Sequence, residues 1–119
     1  MIFALLVALL PQTAAVQAKV DPVGTWTMST MLNDEPGTMK LVIAREKGVL
    51  IADVTTLMGA TVRARSVNLK NDHLTIEAEA HEGMVLTFEI DLQGDKLTGK
   101  WVAGEYNGAL KGERVPPAK

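Results

Sequence analysis

The sequence predicts an all-β domain, an eight-stranded antiparallel up-and-down (meander) barrel, with an open sheet or a two-sheet β-sandwich as the alternative. Three observations carry this. From Val23 onward, apolar and polar residues alternate with period two, not 3.6. No stretch of 11 residues in that region carries a helical apolar stripe. Turn signals recur roughly every 10 to 13 residues, the rhythm of consecutive hairpins.

The first strand is expected over 23–32, closed by a turn at Asn33-Asp34-Glu35-Pro36-Gly37. The second, 38–46, places Met39, Leu41 and Ile43 on one face. Lys47-Gly48 turns the chain into 49–56, where Leu50, Ala52 and Val54 oppose Val49, Ile51 and Asp53. Leu57-Met58-Gly59-Ala60 leads into 61–69, with Val62 and Ala64 inward and Arg63 and Arg65 outward. There the alternation slips near Ser66-Val67, as a β-bulge would make it do. Lys70-Asn71-Asp72 precedes 73–80, which sets Leu74, Ile76 and Ala78 against Thr75, Glu77 and Glu79. His81-Glu82-Gly83 precedes 84–92, Gln93-Gly94-Asp95 precedes 96–103, and Ala103-Gly104-Glu105 precedes 106–115. Val115-Pro116-Pro117 cannot continue a ladder. Pairing the eighth strand with the first would remove both sheet edges.

The front of the chain reads differently. Residues 2–10 (IFALLVALL) are an uncharged run of nine apolar residues, followed by Pro11, small residues and a Val16-Gln17-Ala18 cleavage pattern. Nine residues are too few to cross a hydrocarbon core of about 30 Å but suit the apolar region of a secretory signal. The run departs from the usual signal in having no Lys or Arg before it. The expected organisation is a signal peptide over 1–18 and one domain over 19–119, with no membrane span in the mature form. A retained anchor or a buried N-terminal element is the alternative. An exported chain without cysteine fits the bacterial periplasm or the extracellular space.

Composition narrows the function. A formal charge of −2, from 12 Lys+Arg against 14 Asp+Glu, excludes a general nucleic-acid binder, which needs a basic stripe. The lack of cysteine excludes a disulfide scaffold, a thiolate metal site and a cysteine nucleophile. His73 and His81 have no partner at metal-ligand spacing, so no metal and no cofactor are expected. Ser29 and Ser66 lack the context of an activated nucleophile. Glu77 and Glu79 face the same way near Arg63 and Arg65, a pattern that cross-strand charge pairing explains better than paired-carboxylate catalysis. No enzyme is expected.

Gly24-Thr25-Trp26 on the first strand, with Arg114 at the end of the last, resembles the signature of the lipocalins (calycins). The resemblance spans about 23–115. It implies that Trp26 closes the barrel base, beside Gly24, and that Arg114 covers its ring through a cation–π contact. The chain looks like a small bacterial lipocalin-like barrel. It is shorter than true lipocalins and lacks their C-terminal helix.

In such a meander the two barrel ends are chemically unequal. The base collects the short polar turns 46–48, 70–72 and 93–95. The other end collects loops that carry Met31, Leu32, Leu57, Met58, His81, Met84 and Tyr106. Apolar residues at loop tips suggest a pocket mouth or a contact surface. The interior is expected to hold Trp26, Met28, Phe88 and Trp101 among other apolar residues, with Ala52, Ala64, Ala78, Gly99 and Gly108 between them and no polar group pointing inward. The expected function is binding of a small hydrophobic ligand by the interior and mouth, through Trp26, Met28, Met58, Met84, Phe88, Trp101 and Tyr106. The alternative is a solid-core accessory domain with a protein partner at the loop end.

Overall fold

The computed structural model describes residues 20–32, 34–80 and 83–116. The expected signal segment, His81 and Glu82 lie outside the described residues. Eight strands follow in chain order: β1 (Gly24–Leu32), β2 (Glu35–Glu46), β3 (Val49–Thr55), β4 (Thr61–Lys70), β5 (His73–Glu79), β6 (Val85–Gln93), β7 (Lys96–Ala103) and β8 (Tyr106–Arg114). Each pairs antiparallel with the next, and β8 returns to β1 to close a barrel, with Trp26 opposite Arg114 and Ser29 opposite Lys111. Closure excludes the open sheet and the sandwich.

The predicted strands coincide with the observed ones to within a residue or so, except at the first turn. β2 starts at Glu35 rather than at residue 38, so Pro36 and Gly37 belong to the strand, opposite Met31 and Thr30. Proline needs no amide donor at the start of a strand. Gly37 also leaves room for Leu57, whose Cδ2 occupies the space a Cβ would take. The slip expected near Ser66 is a register shift between Ala64 and Ser66 against β5.

Period two sends one side of every strand inward. Trp26, Met28, Leu41, Val54, Leu74, Ile76 and Ile90 have no accessible area at all. A void as wide as a water molecule would leave accessible area on the side chains around it, so this layer of the barrel is solid. One polar side chain does point inward, contrary to expectation. Thr30 is 6% exposed, and its Oγ1 accepts a 2.9 Å hydrogen bond from Trp101 Nε1. A buried indole N–H without a partner would cost its desolvation, and Thr30 supplies the acceptor.

Glycine shapes the β7–β8 side. At Gly99 a Cβ would run into the carbonyl oxygen of Glu89, and at Gly112 into that of Thr27. Both contacts are with backbone atoms of a neighbouring strand, so the wall is drawn tight where these glycines lie. The opposite side is looser. β3 and β4 pair only over Asp53–Thr55 and Thr61–Arg63, near the loop end, and their lower halves are not paired with each other. The inward residues of β4 (Val62, Ala64, Val67 and Leu69) are accordingly half-buried.

Candidate functional site

The base is built around Trp26. Its ring is fully buried, and Nε1 donates a 3.0 Å hydrogen bond to the Pro22 carbonyl. Arg114 covers the ring with Cζ 4.3 Å from the centroid. The guanidinium also donates to the Val23 carbonyl at 2.7 Å, the Asp21 carbonyl at 2.9 Å and Asp95 Oδ1 at 2.8 Å. Gly24, at φ 144°, lies directly beneath, and a Cβ there would stand 3.1 Å from Arg114 Nη1. The base is closed.

The other end is different. Antiparallel order places the β1–β2, β3–β4, β5–β6 and β7–β8 turns together, and four large apolar side chains are exposed there. Met58 is 91% exposed, Met31 53%, Tyr106 52% and Met84 43%. Tyr106 has the inward parity of β8, one step above Gly108, which lies against Trp101 Nε1 and Thr30 Oγ1. Leu57 is half-buried and packs on the core. Below this rim, Phe88 and Trp101 face each other across β6 and β7 and are buried, and Met28 is buried deeper on β1. The residues expected at a ligand site thus fall into two groups. Met58, Met84 and Tyr106 form an exposed rim, while Trp26, Met28, Phe88 and Trp101 fill the interior beneath it.

A polar cluster on the outer wall escaped the sequence reading. His73 opens β5 directly opposite Asp91 on β6. Its Nδ1 is 2.8 Å from Asp91 Oδ1 and its Nε2 is 2.6 Å from Glu89 Oε1. Ionised carboxylates only accept, so this pair of contacts is fully satisfied when both ring nitrogens carry protons, which favours the charged imidazole. The Asp91 and then the Glu89 hydrogen bonds raise the His73 pKa above its ordinary value, against the pull of desolvation. The His73 contact in turn lowers the pKa of Glu89. Period-two alternation put all three residues outward, but only the β5–β6 register reveals that they meet. The ring lies between the two carboxylates, so the three do not converge on one point. Among the described residues no cluster of three or more His, Cys, Asp or Glu side chains could hold a metal ion.

The charge pairs on the β3–β5 wall need one correction. Arg65 lies 3.5 Å from Glu77 and 3.7 Å from Glu79, as the cross-strand reading expects. Arg63 pairs backward with Asp53 on β3 at 2.6 Å, because these two residues are opposite in the short β3–β4 ladder. Two open grooves lie on the outer wall. One of about 670 Å³ borders His73, Glu89, Asp91 and Lys100, and one of about 620 Å³ runs between Ser29, Lys111 and Arg114. Among the described residues no helix is long and apolar enough to cross a membrane, which says nothing of strands.

No family model matches the chain, and no curated protein matches it by sequence. Among solved structures it is similar to a mutant of the fluorescent protein UnaG. The two are 15% identical with a TM-score of 0.49, over 81% of this chain and 97% of that one. The assignment of architecture rests on the strands themselves. With eight antiparallel strands in meander order, a closed β8–β1 seam and a base made by Gly24, Trp26 and Arg114, the chain is a closed eight-stranded up-and-down β-barrel.

Proposed function

We propose that this chain is an exported, non-catalytic binding barrel that takes a small apolar ligand at the end opposite its closed base. The observation that carries the reading is the collection of Met31, Met58, Met84 and Tyr106, all exposed, at one end of a barrel whose other end is closed. Apolar side chains gathered at one end mark a contact surface more often than scattered ones do. Methionine adapts its shape to apolar partners of varied form, which suits three of the four. The solid layer under the rim supports a ligand that lies across the rim, on Tyr106 and the methionines, rather than deep inside. Export rests on the apolar run and cleavage pattern of residues 1–18, and bacterial periplasm or extracellular space is the proposed compartment.

The same solid layer favours a second reading, in which the rim docks a protein partner. A neutral fluorescent probe, N-phenyl-1-naphthylamine, separates the two. Saturable binding in the micromolar range is expected, because few polar groups orient the probe. Replacing Met58→Lys and Met84→Lys together should weaken binding with the urea midpoint nearly unchanged, since both side chains are exposed. Saturable binding that survives the double substitution would move the ligand away from the rim. No binding in the wild type would leave the protein-docking reading.

A further inference from the structure

The described turns around the apolar rim carry carboxylates and no Lys or Arg. Asp34 and Glu35 sit at the β1–β2 turn, where Pro36 pairs with Met31. Glu79 ends β5 beside the loop in which the Ala80 amide donates to the Met84 carbonyl. Glu105 immediately precedes Tyr106 in the β7–β8 turn. Glu105 adjoins Tyr106 in the chain, while Glu35 pairs with Leu32 next to Met31 and Glu79 pairs with Val85 next to Met84. Among the described residues of the four turns at this end there is no Lys or Arg. Glu79 shares Arg65 with Glu77 at 3.7 Å, whereas Asp34, Glu35 and Glu105 are exposed. The basic side chains Lys40, Lys100 and Lys111 point outward from the wall below the rim.

We propose that the rim selects a cationic amphiphile, a molecule with an apolar chain and a positive head group. The inference rests on the reading that the rim is the binding surface, and it names the chemical class that the surface takes. The apolar part would lie on the methionines and Tyr106, and the head would stay in water among Glu35, Asp34 and Glu105. An anionic amphiphile of the same chain length would meet the same carboxylates with the opposite sign. Several exposed carboxylates within a Debye length of a head group separate the two signs by about tenfold at low ionic strength, and salt erodes that ratio.

Displacement of bound N-phenyl-1-naphthylamine tests this, with dodecyltrimethylammonium and dodecanoate as matched competitors below their micelle concentrations. The cation is expected to displace the dye at about tenfold lower concentration than the anion, with the ratio falling toward unity in 0.5 M NaCl. The Glu35→Gln, Glu105→Gln double variant should bring the ratio toward unity at low salt as well, and Glu35→Lys with Glu105→Lys should reverse it. Urea midpoints of both variants establish that they are folded. Equal displacement by cation and anion at low salt overturns the charge selection while dye binding still upholds the apolar rim. A ratio that survives both double substitutions overturns the assignment to these carboxylates. If the dye does not bind, the rim reading fails, and this inference falls with it.

Discussion

Arg114 and Trp26 face each other across the seam that closes the barrel, with the guanidinium carbon 4.3 Å above the indole centroid. The contact joins the first strand to the last, and the same guanidinium holds the carbonyls of Asp21 and Val23 and the carboxylate of Asp95. One side chain thus ties together the approach to β1, the β6–β7 turn and the end of β8.

Removing the ring should therefore damage the fold more than removing its cover. Trp26→Ala is expected to lower stability by about 3–5 kcal/mol, because a fully buried aromatic leaves a cavity. Arg114→Ala should cost about 1–3 kcal/mol through the lost stacking and the carbonyls left without donors. Arg114→Lys should recover only part of this, since an ammonium cannot hold that forked set of acceptors. Urea midpoints of the three variants check the order, and a wild-type midpoint for Trp26→Ala would refute the base closure.

Gly99→Ala is expected to destabilise by about 1–3 kcal/mol, although alanine is the smallest change available. Its Cβ would meet the Glu89 carbonyl, a backbone atom of the paired strand that cannot swing aside. Gly104→Ala makes the comparison, since open space surrounds that glycine and only its φ of 63° resists the change. Thermal unfolding of both variants should show the larger loss at Gly99 if close strand approach is the cause.

The His73 clamp should make part of the stability depend on pH. A raised histidine pKa stabilises fully below its ordinary value of 6.5, and the benefit fades as pH rises through the folded value. A lowered Glu89 pKa stabilises above its ordinary 4.5, and that benefit fades as pH falls through the folded value. The clamp is therefore strongest between these two values. Because the His73 side chain is 44% exposed, solvent screening should hold the effect of His73→Ala below about 1 kcal/mol. The difference in urea midpoint between wild type and variant should be larger at pH 5.5 than at pH 9. An equal difference at both would show that the clamp carries no charge.

Amide hydrogen exchange should find the weakest part of the wall between β3 and β4. Their ladder holds over three residue pairs only, from Asp53 with Arg63 to Thr55 with Thr61. Amides of the lower halves that point toward the unpaired seam should exchange faster than those of the long β6–β7 ladder. Uniform protection around the barrel would contradict the gap.

Much of this was legible before any coordinates. Alternation such as Leu74, Ile76, Ala78 against Thr75, Glu77, Glu79 is local, and each strand declares its inward face without help from the rest of the chain. Turn chemistry is local as well, and Lys47-Gly48 and Gly94-Asp95 end their strands where the pattern says they should. Pro36 misled because a proline beside a glycine usually marks a turn, whereas here a neighbouring Leu57 needed the space that Gly37 leaves empty.

By itself the sequence determined the number of strands, their inward faces and the unequal ends of the barrel, because period, turn residues and chain order are properties of short segments. The tertiary structure decided who meets whom. His73 between Glu89 and Asp91, Arg63 on Asp53 rather than on a glutamate, and Thr30 under the Trp101 indole all depend on inter-strand register and on closure. Whether the interior is solid was decided there too. Alternating large and small residues can fill a barrel or leave it hollow, and only the mutual fit of Trp26, Met28, Phe88 and their neighbours excludes water between them.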